Sequence, residues 1–262
     1  MTAPYADRLE FAVELARRAG AFAHERFGAL DDLLIERKGH QDFVSEADRD
    51  TETLVREAIA ARWPGDGVVG EEQARTHGSS GFDWVIDPID GTANFVTGIP
   101  HWCTVIACTE NGRPVVGVIY NPCTGELFRA SRGGGAFVGE RPLGASPATA
   151  LAEGSVSSGV SARTDPDIAV ALVSEILRSG GLFYRAASGA LELAYVASGR
   201  LLGYVEDHMN SWDCFAALLM LEEAGGRHQG FSPKALDEGT PVIAGGAGVY
   251  DELRAIAEKV YG

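Results

Sequence analysis

Leu9, Val13, Ala16, Ala23 and Phe27 recur at helical spacing with Arg and Glu on the opposite face, which predicts an amphipathic helix over 5–27. Gly20 falls on the same apolar stripe, where it permits close packing at some cost in helix propensity. Gly28 offers a C-cap. Leu33-Leu34-Ile35 predicts a short strand, followed by a polar loop from Lys38 to Asp42. A second helix is expected to start at Ser45, because Ser45-Glu46-Ala47-Asp48 has the capping-box pattern of a carboxylate three residues after a serine. It ends near Arg62, before Pro64. Val68-Val69-Gly70 predicts a short apolar strand running into Glu71-Glu72, and 73–82 reads as a loop.

The apolar run Trp84-Val85-Ile86 predicts a buried strand. Pro88 cannot donate to a ladder, so the strand is expected to end at Asp87. Thr92 then suits the N-cap of a following turn. Strand-like runs at 103–109, 114–121, 125–131 and 135–138 are separated by Asn111-Gly112, Asn121-Pro122 and Arg132-Gly133-Gly134, which predicts an antiparallel meander. From about 150 the pattern changes. Strands at Val156, 182–185, 201–205 and 241–244 alternate with helices at 165–179, 188–198, 212–224 and 248–260. The expected fold class is α/β: an α+β half over 1–148 and an α/β half over 149–262, packed together around a shared cleft.

The formal charge of −15 argues against nucleic-acid and anionic-membrane partners. An acidic protein that handles an anionic substrate needs local positive charge, and bound cations supply it. Cys103, Cys108, Cys123 and Cys214 form no CxxC pair, so reduced thiols in a cytoplasmic protein are expected. Met1 to Asp7 has no signal-peptide pattern, and no apolar run reaches the length of a membrane span.

Three acidic spots share a local grammar, a strand or turn that runs into a carboxylate. They are Glu71, the Asp87/Asp90 pair, and Asp213. Alone, Glu71 reads equally as a solvated loop acid, and Asp213 as a favourable charge in a first helical turn. Together they suit hard cations such as Mg²⁺, which take oxygen ligands from carboxylates, water and phosphate. Gly91 permits close backbone approach to a ligand, and the amides that follow suit an anion. The stretch therefore suggests metal-assisted phosphoryl chemistry, and from spacing alone a strand end with a solvated acidic turn reads equally well. No P-loop and no Gly-x-Ser-x-Gly elbow is present, and Ile89 stands where an aspartyl-phosphate phosphatase would carry its second Asp.

Gly70-Glu71-Glu72, the stretch Trp84 to Phe95, and Trp212-Asp213 followed by Glu223-Ala224-Gly225-Gly226 resemble the inositol monophosphatase family. Asp42 to Asp48 resembles the segment ahead of that family's second helix. The resemblance runs from Lys38 to Gly226. It implies a layered αβαβα sandwich, usually a homodimer, and a Mg²⁺-dependent, lithium-sensitive hydrolase of small phosphorylated alcohols. Inositol 1-phosphate is the leading substrate, and water attacks without a covalent intermediate. Carried over by position, it implies that Glu71, Asp87 and the carbonyl of Ile89 bind one Mg²⁺. Asp87, Asp90 and Asp213 bind a second, and Glu71 reaches a third through water. Thr92, supported by Asp48, would orient the attacking water. The amides of Gly91 and Thr92 would hold the phosphate, and Glu206 would accept from a substrate hydroxyl.

The substrate-facing segments depart from the family pattern. Ala187-Ser188-Gly189-Ala190 stands where the family often has Gly-Ser/Thr-Ala, placing Ser188, Gly189 and Ala190 beside the substrate. His208 and Asn210 are unusual just before Trp212 and are expected to shape the alcohol-binding wall. Scattered Arg163 and Arg185 do not suggest a site for a second phosphate, so a monophosphate is favoured. Histidinol phosphate is the runner-up, because Glu206 and Asp207 would suit its amine. A non-catalytic regulatory protein on the same fold is the reading from another class.

Overall fold

The computed structural model describes residues 5–30, 35–39, 42–160, 164–232 and 234–262, with backbone only for the strands within 35–44. Helix α1 (Ala6–Phe27) is followed by a hairpin of β1 (Ile35–Gly39) and β2 (Asp42–Ser45), and then by α2 (Glu46–Arg62). Leu33 and Leu34 of the expected strand, and His40 and Gln41 of the expected loop, lie outside the described residues, whereas Lys38, Gly39 and Asp42 of that loop belong to β1 and β2. Strands β3 (Gly67–Gly70), β4 (Phe82–Asp90), β5 (Cys103–Glu110), β6 (Arg113–Asn121), β7 (Glu126–Ser131), β8 (Gly135–Val138) and β9 (Arg141–Pro142) form a seven-stranded sheet in chain order. Short α3 (Thr92–Val96) lies between β4 and β5. β3 runs parallel to β4, and every later pairing is antiparallel, as the hairpin signals predict. At the first of those turns Asn111 and Gly112 have φ of 51° and 78°, the left-handed pair that a tight hairpin turn requires.

The remaining elements are β10 (Ser155–Ser158), α4 (Pro166–Arg178), β11 (Leu182–Tyr184), α5 (Gly189–Ala197), β12 (Gly203–Met209), α6 (Ser211–Glu223), β13 (Arg227–His228), β14 (Thr240–Gly245) and α7 (Tyr250–Tyr261). Their sheet has the order β11-β10-β12-β14-β13. β10 is parallel to both β11 and β12, whereas β14 is antiparallel to β12 and β13. Strand β12 extends to Met209, beyond the expected end at 205, because it pairs with β14 as far as Met209–Thr240.

Alternation along β4 sets the layers. Trp84 and Ile86 pack on Ala12, Leu15, Val55 and Ile59 of α1 and α2. Val85 points the other way, into a cluster with Ala194 of α5 and Phe215 and Leu218 of α6. Tyr204, Val242 and Ala244 of the second sheet belong to that same cluster. On the far face, Val156 and Val205 meet Leu172 and Ile176 of α4 and Leu253 and Ile256 of α7. The order is αβαβα, as the family resemblance implies. Because α6 is covered on both sides, it is apolar around its whole circumference, with Cys214 to Leu221 buried throughout.

Two glycines set the spacing of these layers. A Cβ at Gly117 on β6 would lie 2.8 Å from the Cα of Ala216, so α6 rests directly on the sheet backbone. A Cβ at Gly20 would lie 2.5 Å from the Tyr120 ring, which accounts for glycine on the apolar stripe of α1. All four cysteines are free thiols. No helix among the described residues is long and apolar enough to cross a membrane.

Candidate metal centre and active site

Strand β4 does not end at Asp87. It continues through Pro88 to Asp90, with Asp87 opposite Val105 and Asp90 opposite Cys103. Four residues of β4 therefore span three of β5, which is a bulge. Pro88 is accommodated there because its missing N–H falls where the ladder is already interrupted, while its carbonyl accepts from Thr104 Oγ1 at 2.9 Å. In a regular strand, side chains three apart point to opposite faces. The extra residue cancels that alternation and brings Asp87 and Asp90 to one side. Ile89 N donates to Asp87 Oδ1 at 2.9 Å and closes the turn.

Two helix starts deliver further carboxylates. Ser45 is the N-cap of α2, as expected, and its N–H donates to Asp48 Oδ2 at 2.8 Å. Asn210 is the N-cap of α6, and its N–H donates to Asp213 Oδ2 at 3.0 Å. Both are capping boxes, and both hold a third-position carboxylate toward the bulge. Carboxylate oxygens of Asp87, Asp90 and Asp213 lie within 4.8 Å of one another.

These groups repel one another at close quarters. Burial, and then the charges of Glu71, Asp90, Asp213 and Asp48, hold the Asp87 carboxyl well above its usual range. Burial pushes Asp90 up to about 6, against hydrogen bonds from Ser188 and Ala190. Asp48 is likewise raised to about 6, chiefly by burial. An all-oxygen, mutually repelling donor set, with Asp87 and Asp90 buried and Asp213 half-buried, fits a hard divalent cation, which would remove the cost of assembling it.

Thr92 is the first residue of α3, and Gly91, not Thr92, is its N-cap. The N-cap backbone is left-handed, with φ of 93°, and a Cβ there would lie 3.2 Å from the carbonyls of Ala187 and His101. Only glycine suits both conditions. Thr92 Oγ1 lies 3.0 Å from the Ile89 carbonyl and 3.3 Å from Asp48 Oδ1.

The sequence profile described as the inositol monophosphatase family matches residues 5–261. The chain belongs to that family. It is 36% identical over 240 residues to an inositol-1-monophosphatase of Rhizobium meliloti, covering 90% of this chain and 89% of the relative. It is 37% identical over 216 residues to a Nus factor SuhB of Xylella fastidiosa, covering 82% and 78% respectively. The crystal structure of the extragenic suppressor protein suhB from Bartonella henselae superposes with a TM-score of 0.91 at 31% identity, over 97% of this chain and 99% of that one.

Within this inositol monophosphatase fold, the segment expected to face substrate turns partly inward. Ser188 Oγ donates to Asp90 Oδ2, and Ala190 N donates to the same oxygen at 3.1 Å. Gly189 leaves room for Met209, whose Cε would lie 2.8 Å from a Cβ there. Glu206 is buried and pushed up to about 8, mainly by that burial. Tyr204 donates its hydroxyl to Glu206 Oε2 at 2.5 Å. Asn210 acts as a helix cap, and His208 occupies space left by Gly239. Arg185 donates to the Val160 carbonyl at 3.2 Å. Arg163 and the side chain of Lys38 lie outside the described residues.

Three buried residues near the site escaped the sequence reading. Glu192 accepts from Ala186 N at 2.8 Å and from Ser157 Oγ, fixing the turn in which Ala187 takes a φ of 59°. Its signal is a lone carboxylate in the otherwise apolar run of α5. Tyr204 is the second, and its only sign is a polar atom on a buried strand. Glu52 is the third, and its signal is an Arg four residues later on the same helix.

Proposed function

We propose that this inositol monophosphatase family member is a Mg²⁺-dependent phosphomonoesterase of a small phosphorylated alcohol, with inositol 1-phosphate as the leading substrate. The convergence of Asp87, Asp90 and Asp213 within 4.8 Å carries the reading. Glu71, Asp87 and the Ile89 carbonyl would hold one Mg²⁺, and Asp87, Asp90 and Asp213 a second. Glu71 would reach a third, looser ion through water. When bound, the ions supply positive charge at the phosphate oxygens and make water a stronger acid.

The chain's own groups then orient and move protons. The amides of Gly91 and Thr92 hold the phosphate at a backbone that glycine lets the ligand approach. The Thr92 hydroxyl donates toward Asp48, which leaves a lone pair to receive a proton of the attacking water. Asp48, raised to about 6, is matched to take that proton near neutral pH. Water attacks in line, the P–O bond to the alcohol breaks with the leaving oxygen taking a proton from solvent water, and no covalent enzyme intermediate forms. Glu206 accepts from a substrate hydroxyl through Oε1, since Tyr204 engages Oε2.

The reading includes a cytoplasmic homodimer and inhibition by Li⁺ at a Mg²⁺ position. The test is phosphate release with and without Mg²⁺ from inositol 1-phosphate, glycerol 2-phosphate, histidinol phosphate, fructose 1,6-bisphosphate and a 3′-phosphonucleotide. Mg²⁺-dependent release fastest from inositol 1-phosphate supports the proposal. Preference for histidinol phosphate keeps the mechanism and changes the substrate. Silence on all of them favours the regulatory reading, to which the Nus factor name of one relative also points.

A further inference from the structure

Glu71 lies in the chain leaving β3, in a segment with little packing of its own. Residues 71–75 are half-buried or exposed. The segment is nevertheless anchored on α2. Glu52, on α2, is fully buried, and its carboxylate accepts from Glu72 N at 2.7 Å and from Gln73 N at 3.1 Å. Arg56, one turn later, donates Nε to Glu52 Oε1 at 2.7 Å. Its other nitrogens reach the Gln73 carbonyl at 3.1 Å and Thr76 Oγ1 at 3.3 Å. The pair therefore grips both donors and acceptors of the loop. Gly70 belongs to the same arrangement, because a Cβ there would fall on the Glu52 carboxylate.

A buried carboxylate is costly unless its lone pairs are filled, and here they are filled by the loop that carries Glu71. The same helix supplies Asp48 at its N-terminus, so α2 fixes one acid directly and a second at one remove. After burial, the charge of Glu71 is the largest influence holding the Asp87 carboxyl up.

We infer that Glu52, locked by Arg56, is a positioning residue for Glu71, and that it sets divalent-metal affinity without touching the metal. The inference rests on the proposed metal role of Glu71. Glu52→Gln keeps the volume but turns one acceptor into a donor facing the loop amides.

The test is a titration of the full chain with Mn²⁺ alone, followed by electron paramagnetic resonance, for wild type, E52Q, R56Q, E71Q and E52Q/E71Q. The dissociation constant of the tightest site should rise about 10- to 100-fold in E52Q, the usual scale for outer-shell changes. E52Q should add nothing on top of E71Q, because the two act through one ligand. Multiplying effects, or an E52Q that melts earlier yet binds Mn²⁺ as wild type does, would overturn the inference. Should E52Q not fold, R56Q carries the test, with a smaller loss expected and wild-type affinity as the contrary result. Failure of the wild-type chain to bind Mn²⁺ at all would overturn the metal-site reading itself, and the inference with it.

Discussion

Ser188 donates its hydroxyl to the carboxylate of Asp90, a residue 98 positions earlier in the chain. The bond joins the start of α5 to the end of β4. It therefore ties the middle layer to the bulge that carries two of the clustered acids.

Removing that bond should weaken both the fold and the site. Ser188→Ala is expected to lower the stability of the metal-free chain by about 1.5–3 kcal/mol, the range for a hydrogen bond to a charged acceptor. Urea unfolding in the presence of a chelator measures it. The Mg²⁺ concentration for half-maximal activity should rise about tenfold.

Asp87→Asn should separate stability from activity. Its amide oxygen can still accept from Ile89 N, while the cost of a buried acid whose ionisation four other acids oppose disappears. The metal-free variant is expected to melt at a higher temperature than wild type. Its turnover should fall on the order of 10²- to 10³-fold or more. A variant that loses stability and keeps turnover would contradict the proposed role of Asp87.

The raised carboxyls give the metal-free protein an inverted pH profile. Asp48 and Asp90 rise from 3.8 to about 6, and Glu206 from 4.5 to about 8. Between those limits the folded chain holds more protons than the unfolded chain, so stability from these groups increases as pH falls from about 8 toward about 4. Melting in chelator at pH 8 and pH 5.5 should show the higher midpoint at pH 5.5. Saturating Mg²⁺ should raise the midpoint most at pH 8, because it binds the deprotonated cluster.

Thr92 offers a test of water orientation. Thr92→Ser keeps the hydroxyl between Asp48 and the Ile89 carbonyl and should retain most of the turnover. Thr92→Ala should lose about 10²-fold or more, the scale of a lost proton relay. Mg²⁺ binding followed by calorimetry should change little in either variant, since the threonine is not among the proposed ligands.

The parts of this site that were legible in the sequence are those whose cause is local. Ser45-x-x-Asp48 declares a helix start by itself, and Asn111-Gly112 declares a hairpin. Asn210-Ser211-Trp212-Asp213 follows the same capping logic, but an asparagine after a strand reads equally as part of a binding wall. In the sequence the bulge at Pro88 reads as a strand end, because register belongs to a pair of strands and Val105 and Cys103 are needed to see it. Glu52 and Glu192 were missed for a related reason. Each resembles an ordinary helical acid until the backbone amides that fill its lone pairs arrive from a distant segment. In the second half, the alternation of strands and helices leaves the direction of each strand open, and in the fold β14 runs antiparallel while the short β13 joins through it.

The placement of α6 has a consequence for the order in which a ribosome releases this chain. The seven-stranded sheet is complete by Pro142, yet α6, the main cover of its inner face beside α5, begins only at Ser211. Until then, the surface around Val85, Val105 and Ile119 awaits a partner not yet synthesised. A nascent chain is thus sticky for about a quarter of its length and acquires Asp213 in the same step that closes it. Burial of the sheet and completion of the acidic cluster become a single late event, so a chain cut short before α6 would have neither.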